Sequence, residues 1–269
     1  MRNRFASAAA LALSVAAIGG LAGCATAQPS PGARQGLNDG YAALERGNYD
    51  AASAAAEAYL RTHRNGPGVA EALYLKGRAF EQRTPRDQAV RDANLAQARS
   101  AYAEALNHQP EPKLEGNIRA GLANVAYFRD DYLAALGQWT AAYDKLTDAD
   151  AKAWTLYRIG LCQQRLGRFD RADQTFEQVK RNYPSTEPAK RAADRQGTRS
   201  FTLQLATYGS APVADAATQQ LRQQNLTPTR VTDPQGRIVL TLPNLPAYDE
   251  AKRLKQRLAG QFPDAVIVP

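Results

Sequence analysis

The sequence predicts a mainly α chain of stacked helical pairs, closed by a small α+β module in the order βαββαβ. Three observations carry this prediction. Between residues 37 and 195, alanine and large apolar residues recur at helical spacing. Glycine and proline interrupt that pattern at intervals that repeat along the chain, the signature of an array in which each unit buries its apolar face against the next. After Gly197 the apolar period changes from near four to two, which marks strands. A chain of 269 residues is long enough for two folded units.

The N-terminus precedes both units. Met1-Arg2-Asn3-Arg4 is a basic start, and residues 5–21 are apolar or small and uncharged. Such a run is short for a membrane span and has the make-up of a secretory signal. It ends in Leu21-Ala22-Gly23-Cys24. This tetrapeptide resembles the bacterial lipobox, in which cleavage precedes a cysteine whose thiol takes a diacylglyceryl group. The resemblance implies a signal peptide over residues 1–23 and lipid attachment, palmitate included, at Cys24. Several acyl chains, at about 0.8 kcal/mol per buried methylene, make such an anchor effectively permanent. Ala25 follows, where an aspartate would resemble the inner-membrane retention signal, so the expected location is the outer membrane, facing the periplasm. An ordinary secretory signal cut near Ala25-Thr26-Ala27 is the alternative. Residues 24–36, with Pro29, Ser30, Pro31 and Gly32, read as a flexible tether.

Residues 37–196 form the helical array. Its clearest unit runs from Trp154 to Pro184, with Leu156, Ile159, Gly160, Gly167, Phe169, Ala172, Phe176 and Val179. Gly160 permits close helix approach, and Gly167 ends the first helix in a conformation that is cheap for glycine. Ala172 is small at the crossing, and Pro184 stops the second helix. Earlier units carry Gly40, Gly47, Tyr49 and Ala52; then Gly77, Ala98, Tyr102, Ala105 and Pro110; then Leu122, Ala123, Tyr132, Ala135, Trp139 and Ala142. The first has Ala56 in place of the aromatic, and the second has extra residues from Thr84 to Asp92 between its helices. Residues Pro188–Gln196 read as a capping helix. The pattern resembles the tetratricopeptide repeat, which implies an α-solenoid whose groove binds other proteins. Tyr183-Pro184-Ser185-Thr186 before Ala189 resembles periplasmic members, including the coordinators of the Tol–Pal system and outer-membrane assembly lipoproteins. Tyr127, Tyr143 and Tyr157 are candidates to line the groove, though most aromatics at this spacing are core.

In the last segment, residues 201–208 alternate as a strand, 212–224 are helical, 227–232 form a strand, Asp233-Pro234-Gln235-Gly236 turns the chain, 237–242 alternate again, 246–258 are helical and 265–268 close the sheet. The helices are expected to bury Val213, Ala216, Ala217 and Leu221, and Ala251, Leu254 and Leu258. This order gives a ferredoxin-like four-stranded antiparallel sheet with both helices on one face. Strict alternation sends Phe201, Leu203, Leu205, Ile238, Leu240 and Leu242 to the helices. It leaves Thr202, Gln204, Ala206, Tyr208, Arg237, Val239 and Thr241 on the open face. Amide, hydroxyl, ring and guanidinium groups suit a sugar chain. Leu203-Gln204-Leu205-Ala206-Thr207-Tyr208 resembles the first-strand motif valine-glutamine-leucine-glycine-alanine-phenylalanine of the sporulation-related repeat (SPOR) domain. The resemblance spans residues 199–269 and implies binding of peptidoglycan glycan strands that lack stem peptides. It departs from the family at Ala206, where glycine is usual, and at Leu242-Pro243-Asn244, where glycine-proline-phenylalanine is usual. Candidate glycan-binding residues are therefore Gln204, Tyr208, Thr202, Arg237 and Thr241.

No catalytic or metal-binding residue and no cofactor is expected. The two histidines, His63 and His108, lie near helix ends, and no zinc, serine-nucleophile or phosphate-loop motif occurs. The one further cysteine, Cys162, sits in an apolar helical pattern as a small hydrophobe. The formal charge of +8 falls to +6 without Arg2 and Arg4, and its basic residues are scattered, so nucleic acid is not an expected partner. The expected partners are the membrane through Cys24, peptidoglycan, and unidentified envelope proteins in the repeat groove. The alternative is a scaffold for outer-membrane protein assembly whose terminal module binds protein and no glycan.

Overall fold

The structure, a computed structural model, describes residues 30–269; Cys24 and the predicted signal lie outside the described residues. Four antiparallel helical pairs come first: α1 (Pro31–Glu45) with α2 (Tyr49–Thr62), α3 (Val69–Gln82) with α4 (Gln88–Asn107), α5 (Pro112–Phe128) with α6 (Tyr132–Tyr143), and α7 (Ala149–Arg165) with α8 (Phe169–Asn182). Helix α9 (Glu187–Arg195) covers the end of the stack with Pro188, Ala189 and Ala192 turned inward. Among the described residues no helix is long and apolar enough to cross a membrane.

Each pair crosses over a small residue. Ala52, Ala98, Ala135 and Ala172, one in each second helix, are fully buried. Four residues on stand Ala56, Tyr102, Trp139 and Phe176, also buried. The rings need the glycines opposite them: a Cβ on Gly77 or on Gly121 would lie 2.5 Å from the Tyr102 ring, and one on Gly160 would collide with Phe176. Glycine thus lets helix backbones close onto an aromatic face.

The turns repeat as well. Gly47 and Gly167 sit at φ +73° and +70° between the helices of their pairs. In the third pair that place is taken by Asp130 at φ +60°, a conformation that aspartate tolerates better than most residues. Asn48, Asp131 and Asp148 cap the helices that follow them, each accepting a backbone N–H.

Two boundaries differ from the sequence reading. Helix α1 starts at Pro31, capped by Ser30, so residues 31–36 of the expected tether are helical, and Arg34 pairs with Glu71 at 2.7 Å. Proline at a first helical turn starts a helix as readily as it breaks one. The extra residues of the second unit do not form a long loop. Asp87 caps Ala89 and Val90, and α4 lengthens at its start to 20 residues.

The C-terminal module follows as β1 (Phe201–Tyr208), α10 (Ala211–Gln223), β2 (Thr229–Thr232), β3 (Ile238–Leu245), α11 (Tyr248–Leu258) and β4 (Val266–Val268). The sheet is antiparallel in the order β2-β3-β1-β4. Phe201, Leu203, Leu205, Leu221, Leu240, Leu242, Ala251 and Leu258 form its core. On α10 the buried stripe is Ala214, Thr218 and Leu221; Val213 and Ala216, expected inward, are exposed. Arg230 of β2 fixes that rotation, since its guanidinium donates to Thr218 Oγ1 at 2.9 Å and pairs with Asp215.

Candidate functional site

The face of the sheet opposite the helices is the candidate site, and the strand register decides what it displays. Arg230 pairs with Leu240 and reaches toward α10, so its neighbours Thr229 and Val231 face the other way. Thr229 lies opposite Thr241, Thr241 opposite Gln204, and Gln204 opposite Val266. These four side chains form one row across the open face, spaced by about 4.8 Å per strand. Thr241 is 8% exposed and donates to the Thr229 carbonyl at 3.3 Å, while Gln204 is half-buried. Thr202, opposite Val268, stands two residues along β1 on the same face.

Two bulges upset the expected alternation. In β1 the register slips between Gln204 and Ala206, so that Leu205 and Ala206 both pack toward the helix-side core. Beyond the slip, Tyr208 also packs against that core rather than facing out, and its burial raises the phenol pKa. Thr207 takes the outward place, opposite Val239. In β3 the register slips again, and Leu242 and Leu245 both point inward across Pro243 and Asn244, the latter at φ +61°. Arg237 is not on the face at all. It lies in the β2–β3 turn, where its guanidinium pairs with Asp233 at 2.6 Å.

The structure therefore groups Gln204, Thr241 and Thr202 on one face, turns Tyr208 toward the core and leaves Arg237 in the turn. Gln204 and Tyr208 both border a groove of about 460 Å³ along β1, with Thr207, Gln261 and Asp264. Thr229 and Thr207 belong to the open face and escaped the sequence reading. Thr229 was findable from the alternation of β2; Thr207 depended on an unmarked bulge.

Contacts between the repeats and the module come from Arg199, which pairs with Asp173 at 2.7 Å, and from Phe201, Tyr248 and Lys252. The centre of this contact is Arg165 at the end of α7. Its guanidinium lies 3.5 Å from the centre of the Tyr248 ring, with Tyr132 and Phe201 within 6 Å, and its Nη1 is buried with no hydrogen-bond partner among the described residues. Lys252 pairs with Asp130, the residue in the turn where two other pairs have glycine. The glycine missing from this turn is the sequence signal that sets Asp130 apart.

The aromatics proposed for the repeat groove do not line it. Tyr157 is buried against Phe176, Tyr127 packs on Tyr132 and Trp139, and Tyr143 meets Tyr183 hydroxyl to hydroxyl at 2.9 Å. His63 stacks on Tyr59, with ring centres 4.4 Å apart. Cys162 is buried, which pushes its thiol pKa up to about 12 and leaves it a core residue. Among the described residues no group of three or more potential ligands is placed to hold a metal.

Residues 154–186 match the Tetratricopeptide repeat family and residues 197–269 match the SPOR domain family. No curated protein matches the chain. A tetratricopeptide repeat protein from Parabacteroides merdae superimposes with a TM-score of 0.48 at 15% identity, over 87% of this chain and 68% of that one. MamA protein does so with a TM-score of 0.46 at 13% identity, over 88% and 98%. Both matched families are binding domains rather than catalytic ones, and this chain carries tetratricopeptide repeats followed by a C-terminal SPOR domain.

Proposed function

We propose that the chain is an outer-membrane lipoprotein that ties protein partners to the cell wall. The lipid on Cys24 holds it to the membrane, the repeats bind envelope proteins, and the SPOR domain binds peptidoglycan glycan strands during wall organisation or division. The observation that carries this reading is the polar row on the open face of a SPOR-domain sheet, with Thr229 exposed, Gln204 half-buried and Thr241 recessed between them. Two hydroxyls and an amide at strand spacing match the spacing and polarity of sugar hydroxyls, and the β-branched neighbours give a flat floor. Three tethers on one chain raise the effective concentration of each contact.

The whole chain is the right object for the test, because Phe201 and Tyr248 of the module pack on the repeats. It is expected to sediment with purified sacculi, and more strongly after amidase has stripped the stem peptides. Gln204→Ala combined with Thr241→Val removes two hydrogen-bonding groups and is expected to weaken that binding about tenfold. A folded chain that ignores both kinds of sacculus rules out glycan binding. The protein-binding alternative has its own observation, since Val231, Val239 and Val266 share the open face and two of them are more than half exposed. The anchor is tested separately: radiolabelled palmitate is expected to enter the chain in cells and to be lost with Cys24→Ala. Label retained by that variant would place the lipid elsewhere.

A further inference from the structure

We infer that the second half of β1 takes up an extended polypeptide segment of a partner protein as an added strand, with a lysine or arginine of that segment on Asp264; this holds whatever the open sheet face binds. Strand β1 is eight residues long, but β4 pairs with only three of them, Thr202, Leu203 and Gln204. The chain reaches β4 from α11 through Gln261, Phe262, Pro263 and Asp264, and among the described residues no backbone hydrogen bond links this stretch to β1. The groove of about 460 Å³ lies between the two, with residues 204–208 as one wall and residues 261–264 as the other.

Strand β1 is thus an inner strand over its first half and an edge over its second. Residues of an antiparallel strand turn their N–H and C=O groups alternately to one neighbour and the other. From Ala206 to Tyr208 one side is taken by β3. On the groove side the backbone has no strand beside it among the described residues. A row of donors and acceptors at that spacing is matched by another extended chain. Sheet edges that stay unpaired usually carry a charge or a proline. The opposite edge does so, since β2 has Arg230 near its centre. Leu205-Ala206-Thr207-Tyr208 has neither.

The dimensions and the lining say what fits. A strand residue takes up about 160 Å³, from a rise of about 3.4 Å, about 4.8 Å to the next strand and about 10 Å between stacked layers. The groove therefore has room for roughly three residues. Their side chains would alternate between the two faces of the sheet. Toward the helices they meet Leu205, Tyr208 and Phe262, which pack in the module's core, so an apolar or β-branched residue suits that side. Asp264 is the one charged residue in the lining; it is exposed and forms no ion pair among the described residues. Its carboxylate selects a cationic side chain at that end of the segment.

The test displays short peptides with Val, Ile or Thr at alternate positions and random residues between them. Peptides are selected on the whole chain, and those that also bind the Asp264→Lys variant are removed. Asp264 is exposed and lies outside helix and strand, so this variant is expected to fold as the parent does. The survivors are expected to share a lysine or arginine and to bind about tenfold more weakly, or worse, when it becomes glutamine. Methylation of their backbone nitrogens is expected to alternate in effect. At every second residue it weakens binding about tenfold or more, and at the residues between by less than about twofold. Should Asp264→Lys unfold, the methylation pattern on the unaltered chain decides. Binding that is insensitive to methylation, or sensitive without alternation, overturns the added strand. A library in which no peptide tells the two chains apart overturns the site. Displacement of a survivor by soluble muropeptides would give the groove to a wall stem peptide and overturn the partner-protein assignment.

Discussion

Tyr102→Ala is expected to lower the unfolding free energy by about 3–5 kcal/mol, and the melting temperature by about 10 °C. The ring is fully buried and lies between Gly77 of its own pair and Gly121 of the next, so one side chain joins two repeats. Its removal leaves a cavity that neither glycine can fill. The loss is a large part of the roughly 5–15 kcal/mol that a domain has in total. Tyr102→Phe separates packing from polarity. It keeps the ring but removes the hydroxyl that donates to Glu81, and a buried acceptor that loses its donor costs about 1–3 kcal/mol. The pH dependence has a definite sign. Burial raises the pKa of Glu81 in the fold above its ordinary 4.5, although hydrogen bonds from Tyr102 and Asn124 oppose the rise. The folded state thus holds its proton where the unfolded chain has released it, and stability declines as the pH rises from the ordinary value through the raised one. Losing the Tyr102 hydroxyl raises the folded pKa further. The deficit of Tyr102→Phe is therefore expected to grow from pH 4 to pH 8 in denaturant titrations. A deficit that does not change with pH would mean that Glu81 is not charged against that hydroxyl. A Tyr102→Ala chain that melts within about 2 °C of the parent would contradict the packing argument.

The same residues show what could be read before folding. Helical pairs, small residues at the crossings and rings at Tyr102, Trp139 and Phe176 follow from periodicity, because each pair is stabilised chiefly by neighbours close in sequence. The capping residues Asn48, Asp131 and Asp148 are equally local. Pro31 was ambiguous, since proline marks both a break and a first helical turn, and the contact that decides it, Arg34 with Glu71, spans 37 residues. The bulge in β1 was invisible because Leu205-Ala206 is two apolar residues with no turn signal, and only pairing with β3 shows that one of them is extra. That single inserted residue moved Tyr208 off the open face and put Thr207 on it. Asn244 could have warned of the second bulge, being among the residues that accept a positive φ.

The contact between the domains was the least readable feature, and it carries the other large expected effect. Tyr248→Ala is expected to split one cooperative unfolding transition into two in calorimetry and to increase the radius of gyration in solution scattering. Tyr248 belongs to both hydrophobic clusters, the one around Trp139 and Phe176 and the one inside the sheet. Its ring stands edge-on to Tyr132 and Phe201, with centres 5.5 Å away in each case, and its face receives Arg165. Losing the ring's burial costs about 2 kcal/mol, and losing the cation–π contact about 1–2 kcal/mol more. Arg165 would then be left with an unpartnered Nη1 and only the more distant Tyr132 and Phe201 rings, which favours its return to water and hence separation. What remains is the Phe169–Phe201 ring contact and the Lys252–Asp130 and Arg199–Asp173 pairs, the pairs being partly exposed and worth little alone. Arg165→Met keeps most of the packing without the charge, so it is expected to leave a single transition. If it instead separates the domains as Tyr248→Ala does, the charge rather than the ring holds them together. Unchanged scattering and one transition in Tyr248→Ala would show that the polar pairs suffice. The outcome bears on mechanism, because a joined pair of domains presents the open sheet face and the repeats at one fixed separation, which would set the distance between whatever each of them binds.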